Sequence, residues 1–187
     1  MLVQIDKETE MNKHIAITCT FAAMIFVATN GHAQTSNAPA GQANATDQTF
    51  LSEAIQGDLA EVNMGKLAQE KGQSAATKQF GQMLEQDHGQ HLQKAKDSAQ
   101  QMGVSAPTEP NAKQKKMYDQ LSKMSGAQFD KEFAQHMVKD HKEDIGKYEK
   151  KAKSKGPLAQ FAEQTLPTLQ KHLQTAERLA EQKSSQR

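Results

Sequence analysis

Glycine and proline punctuate this chain so widely that long helices are almost the only elements that fit between the breaks. Gly72, Gly103, Gly126 and the Gly156-Pro157 pair mark the stops, and Pro107 and Pro110 forbid helix in the loop GVSAPTEPN. The stretches between are rich in glutamine, alanine and lysine, which favour helix over strand. Aromatic residues make up only 5% and tryptophan is absent, so strand formers are scarce. No segment alternates apolar and polar residues over a useful length. The pattern predicts helices over about 47–71, 74–102, 112–125, 127–155 and 157–183, with Asp47 as the first N-cap and Pro157 in the first turn of the last helix. Four long helices with short connections make an all-α, up-and-down four-helix bundle, with one short extra helix in the central crossover. A chain of 187 residues is long enough for one such core.

The bundle begins after a leader. From Met11 the sequence runs MNKHIAITCTFAAMIFVATNGHAQ, with Lys13 ahead of an apolar run over 15–28 and the small residues Gly31 and Ala33 at the positions a signal peptidase reads. Residues 1–33 are therefore expected to be a signal peptide cleaved after Ala33, with Met11 the true start, delivering the protein to the periplasm. The alternative is an uncleaved leader that tethers the protein to the inner membrane. The apolar run is short for a membrane span, and no other segment is a candidate for one. Residues 34–46 are small and polar and read as a disordered linker, as do 184–187 as a tail. The only cysteine, Cys19, lies inside the leader, so the expected mature protein offers no thiolate.

Helical wheels place a set of polar residues on the apolar stripes. In the second helix Phe80, Leu84, Ala95 and Ala99 define the stripe, and His88 and His91 fall within it, with Asp87 at its edge. In the first helix Asp58 and Glu61 lie among Leu51, Ala54, Val62 and Ala68. In the fourth, His141 and Asp144 lie among Phe133, Met137 and Tyr148, with Asp140 near the edge and His136 pointing away. In the fifth, His172 lies beside Leu169 and Leu173. Each polar group is near the middle of its helix, so antiparallel packing predicts one layer containing Asp58, Glu61, His88, His91, His141, Asp144 and His172. Buried charges must satisfy one another or hold an ion. Imidazoles and carboxylates without thiolate suit iron, manganese, zinc or copper(II). The alternative is a hydrogen-bonded network that only fixes helix register.

Other features bear on function mostly by exclusion. A formal charge of +1, with bases scattered among acids, argues against a nucleic-acid surface. No glycine-rich phosphate loop and no serine–histidine–acid arrangement on the core faces is present. A di-iron bundle usually carries two Glu-x-x-His pairs, and only Glu85-x-x-His88 fits. The six methionines after the leader read as core packing. Pro167 is expected to kink the fifth helix one turn before His172, and the basic stretch 147–155 to be a solvated helix end. Residues 79–99 align without gaps onto 160–180, placing Phe80 on Phe161 and His91 on His172. This reads either as a duplicated hairpin or as the shared periodicity of two amphipathic helices.

The run FLSEAIQGDLAEVNMGKLAQEKG, the two Asp-His pairs that follow Phe80 and Phe133, the turn SGAQFD at 125–130 and LPTLQKHL at 166–173 together resemble the bacterial domain-of-unknown-function 4142 family. The resemblance covers about 50–182. It implies a ferritin-like bundle exported to the cell envelope and no established activity. The motif positions it carries over are Glu61, His88, Asp130, His141 and His172. Asp130 falls near the start of the fourth helix, where capping or a dipole contact is its expected role. The functions left open are metal sequestration or stress protection at the mid-bundle layer, a structural or interaction module of the envelope without metal, and a metal-dependent oxidoreductase.

Overall fold

A computed structural model describes residues 43–184, with side chains described through 182. The expected leader, most of the linker and the last residues of the tail lie outside the described residues. The chain forms α1 (Ala45–Lys71), α2 (Ala75–Gln101), α3 (Ala112–Ser122), α4 (Gly126–Ala152) and α5 (Ala159–Ser184). The expected all-α bundle is present, and no helix among the described residues is long and apolar enough to cross a membrane.

The caps set where each helix begins. Asn44 accepts the Asp47 N–H at 2.9 Å and starts α1 two residues before the expected position. Asp47 is therefore not the cap; it lies buried and meets Lys151 Nζ at 2.8 Å. Lys151 is in turn buried, with its ammonium 5.1 Å from the centre of the Phe50 ring. So the basic end of α4 is not wholly solvated: one lysine folds inward and ties α4 to the first turn of α1. Ser74 caps α2 by accepting from Thr77 N–H at 3.1 Å, and Asn111 and Gln114 form a reciprocal capping box on α3. The helix α5 opens at Ala159, two residues past Pro157, and runs on without a break through Pro167.

Helix α1 packs along α2 and α4 along α5, while α2 faces α5 and α1 faces α4. Two apolar clusters fill the interior. One holds Met64, Leu67, Phe80, Leu84, Phe129, Phe133, Met137 and Leu179; the other holds Phe50, Leu51, Ile55, Ala95, Tyr148, Leu158 and Leu169. Reading each helix from one cluster to the other gives the directions up, down, down, up for α1, α2, α4 and α5. The segment from Gly103 to Ser125 therefore runs the length of the bundle, and α3 lies on its path with Leu121 in the first cluster. A crossover of this kind is the ferritin-like variant of the four-helix bundle. The sequence alignment pairs Phe80 in one cluster with Phe161 against the other, as two hairpins related by a twofold axis through the middle would.

Helices α1 and α2 touch backbone to backbone. A Cβ added to Gly65 would sit 2.5 Å from the Gly81 carbonyl oxygen, and one on Gly81 would sit 2.6 Å from that of Gly65. This contact fixes the height of α1 against α2 one turn beyond Glu61. Every long helix then passes its polar residues through the level between the two apolar clusters.

Candidate metal centre

His88 on α2, His141 on α4 and His172 on α5 converge between the clusters. Their ring centroids are 5.8, 5.2 and 5.3 Å apart for the pairs 88–141, 88–172 and 141–172. One nitrogen from each ring lies within 4.8 Å of one from each of the others. All three residues are almost sealed from solvent, at 5%, 2% and 0% exposure.

The hydrogen bonds of these rings determine what the remaining nitrogens can do. His88 Nδ1 meets Asp58 Oδ1 at 2.9 Å, and His172 Nε2 meets Asp87 Oδ2 at 2.9 Å. His141 Nδ1 meets the Met137 carbonyl at 3.0 Å. A carboxylate or carbonyl oxygen only accepts, so in each pair the imidazole N–H donates. In a neutral ring the other nitrogen is then a bare lone pair. Those other nitrogens, His88 Nε2, His141 Nε2 and His172 Nδ1, are buried without a hydrogen-bond partner, as is Glu61 Oε2. Protonation is disfavoured: burial, followed by the neighbouring imidazoles, holds His141 well below its ordinary range and pulls His172 down to about 4.

Glu61 extends from α1 one turn beyond Asp58 and is 2% exposed. Burial first, then the nearby Asp140 carboxylate and more weakly Asp144 and Asp58, push its carboxyl well above the ordinary range. An ionised Glu61 therefore needs a cation beside it. Asp58 behaves differently. Burial raises it, but hydrogen bonds from His88 and His91 outweigh that and leave it below its usual value.

The structure separates the expected layer into a cluster and its supports. His91 does not join the three rings: its Nδ1 donates to Asp58 Oδ2 at 2.7 Å, its Nε2 lies 3.5 Å from the Tyr148 hydroxyl, and its ring packs on Phe161 at 4.8 Å. Its alignment partner, His172, does join. Asp58 spends both oxygens on His88 and His91, so it orients a ring instead of facing the cluster. Asp144 is partly exposed and pairs with Lys147 at 3.3 Å; burial, then Asp140, raises it to about 6. Asp130 does not cap α4. Its two oxygens accept the N–H groups of Gln73 at 2.9 Å and Ser74 at 3.0 Å, which binds α4 to the α1–α2 turn.

Two supporting acids sit at positions that the helical wheels placed on the rim. Asp87 reaches sideways to His172, and Asp140 flanks Glu61. Each belongs to an Asp-His pair. In both pairs the histidine turns inward and the acid before it turns toward the next helix, so the repeated dipeptide was the available signal.

The donor set fits a transition metal. Some point lies within about 2.8 Å of all three nitrogens, so bonds of ~2.1 Å need each ring to advance by at most about 0.7 Å. Outer carboxylates and carbonyls that hold the far nitrogen of each ring are the usual support of metal-bound histidine. The family model described as a domain of unknown function (DUF4142) matches residues 32–179. No curated protein and no solved structure matches the chain. Glu61, His88, Asp130, His141 and His172, through which the sequence resembles that family, all have a place in the interior just described, and the chain belongs to the DUF4142 family.

Proposed function

We propose that this protein binds one transition-metal ion through His88, His141 and His172, with Glu61, a buried acid outside that converging group, turning in to complete the set, and that it does so in the periplasm as a sequestering protein. The observation that carries the reading is the group of three imidazole nitrogens, buried, mutually facing and without partners. A layer that served only helix register would satisfy its buried polar atoms, because each one left unpaired costs about 1–3 kcal/mol. Here the rings are held by their far nitrogens, and the near ones are left for an ion. Three neutral imidazoles and one carboxylate favour zinc or copper(II), at the strong end of the divalent series, over manganese.

The ion would supply positive charge that lets Glu61 ionise and that draws the three lone pairs together. The test is elemental analysis of the protein isolated from the periplasm without a histidine tag. About one equivalent of metal is expected. Less than about a tenth of an equivalent, with no uptake on titration with zinc or copper(II), removes the proposal.

A further inference from the structure

The three facing imidazole nitrogens are sealed from solvent, so an ion reaches them only when a side chain moves. Glu61 is the group placed to move. It stands outside the converging rings, its Oε2 is buried without a partner, and its carboxyl lies within hydrogen-bonding reach of Asp140 on α4. Asp140 in turn lines a surface groove of about 350 Å³ between α1, α3 and α4. The groove continues inward. Gly57, Asp144 and Lys147 line both it and a space of about 20 Å³ that ends on Asp58 and His88. Helices α1 and α4 run antiparallel, which sets Gly57 across from Asp144 and, one turn on, Glu61 across from Asp140. Gly57 leaves a gap in that seam: from a Cβ built there, the nearest atom across it would be Asp144 Oδ2, at 3.9 Å.

Size and charge both bear on what this path admits. One water needs roughly 10–15 Å³ of such space and six need roughly 60–90 Å³, so the groove takes an ion with its water shell and the inner space does not. Stripping an ion is costly unless protein groups replace the lost water, and the acids at the junction can do so. Four acids and three lysines line the groove. Lys113 and Lys139 reach Glu143 at 3.6 and 3.9 Å, and Lys147 reaches Glu53 at 3.5 Å and Asp144 Oδ1 at 3.3 Å. Lys147 is half-exposed, and an ion pair of that kind is weak, so a divalent ion can displace its ammonium from Asp144. The α2–α5 cleft offers a cation less: the acid in its wall, Asp87, is engaged by His172, and Lys94 stands beside it. Resting on the metal-binding reading above, we infer that the ion enters from the α1–α4 groove, where Asp140 and Asp144 form an entrance site for a divalent cation and Glu61 swings from Asp140 to the three imidazoles to deliver it.

Copper(II) is the probe. Uptake by the metal-free protein is followed by stopped-flow absorbance, and release by chase with a strong chelator. Each variant is first shown to keep the wild-type helix content and copper stoichiometry. Gly57→Leu puts a side chain across the passage. A plug slows both directions, so entry and release should each fall by about tenfold or more while the dissociation constant stays within about threefold of the wild type; damage to the site would instead speed release. Asp140→Asn and Asp144→Asn should each slow entry by about threefold or more. Thr168→Leu, in the α2–α5 cleft, should leave both rates within about twofold of the wild type. If leucine at 57 disturbs the helix content, the two asparagine variants, which change no volume, carry the test against Thr168→Leu. Wild-type rates or faster release in Gly57→Leu, or equal slowing in Thr168→Leu, overturn the route and leave the metal reading intact. Unchanged entry in either asparagine variant overturns the entrance site. A wild-type protein that binds no copper overturns both readings.

Discussion

Replacing His141 by leucine separates an ion-holding interior from a purely structural one, because the two predict opposite signs. In the metal-free protein the His141 ring is 2% exposed and its Nε2 has no partner. An unsatisfied buried group of this kind costs about 1–3 kcal/mol, and leucine fills a similar volume without it. The lost Nδ1–H bond to the Met137 carbonyl is a partial loss only, since that carbonyl is also placed to accept the helical N–H four residues on. Metal-free His141→Leu is therefore expected to melt at the wild-type temperature or above it. Metal reverses the order. At free metal a thousand times the dissociation constant, the wild type gains about 4 kcal/mol, and the variant, short of one imidazole, gains much less. For a domain of this size each kcal/mol moves the midpoint by about 2–4 °C, so the wild type should rise by roughly 8–16 °C on loading. Thermal melts followed by circular dichroism, with chelator and with zinc, read all four states. A wild-type midpoint that ignores zinc, or a variant that loses the same stability with and without it, refutes the reasoning.

Further expectations follow from the supports of the cluster. Because burial raises the Glu61 carboxyl well above its ordinary range, metal uptake at a pH below its folded value should release a proton as the carboxyl ionises, seen as buffer-dependent heats in calorimetry; Glu61→Gln should abolish the release. The same shift has a signed effect on metal-free stability. The folded state holds a proton that the unfolded state gives up above about 4.5, so this contribution is lost as pH rises toward the folded value, and Glu61→Gln should gain on the wild type as pH rises from 5 to 8 in urea melts. Asp130→Ala removes two charge-assisted bonds to the Gln73 and Ser74 N–H groups and should cost about 2–4 kcal/mol in urea denaturation, with the metal stoichiometry unchanged. Gly65→Ala drives a methyl into the Gly81 carbonyl and should cost about 1–3 kcal/mol while weakening metal binding, because it parts α1 from α2 where Asp58 holds His88.

Much of the interior could be read from helical periodicity, and its failures have a common cause. Turning each residue by about 100° placed Glu61, His88, His141 and His172 on core faces, where they are. The wheel gives azimuth, not height or side-chain direction. His91 lies one turn along from His88 on nearly the same face, and that turn is enough to put it against Tyr148 and Phe161 instead of the other imidazoles. Asp87 and Asp140 fell on the rim because a rim residue's partner belongs to the neighbouring helix, and only packing decides which. Asp130 shows the limit most plainly. Its partners, Gln73 and Ser74, are more than fifty positions away, and nothing local distinguishes such a carboxylate from an ordinary helix-start acid. Asn44 displaced Asp47 as the cap for the same reason, since Lys151 claims Asp47 from the far end of another helix.

Asp58 links the His88 ring to His91, and His91 leads on to the phenol of Tyr148. The molecule has no tryptophan and two tyrosines, and the other, Tyr118, lies at the surface on α3. A Tyr118→Phe protein would consequently carry a single tyrosine, linked by hydrogen bonds to the heart of the bundle. Its emission becomes a built-in gauge of occupancy, readable in dilute solution with no label attached.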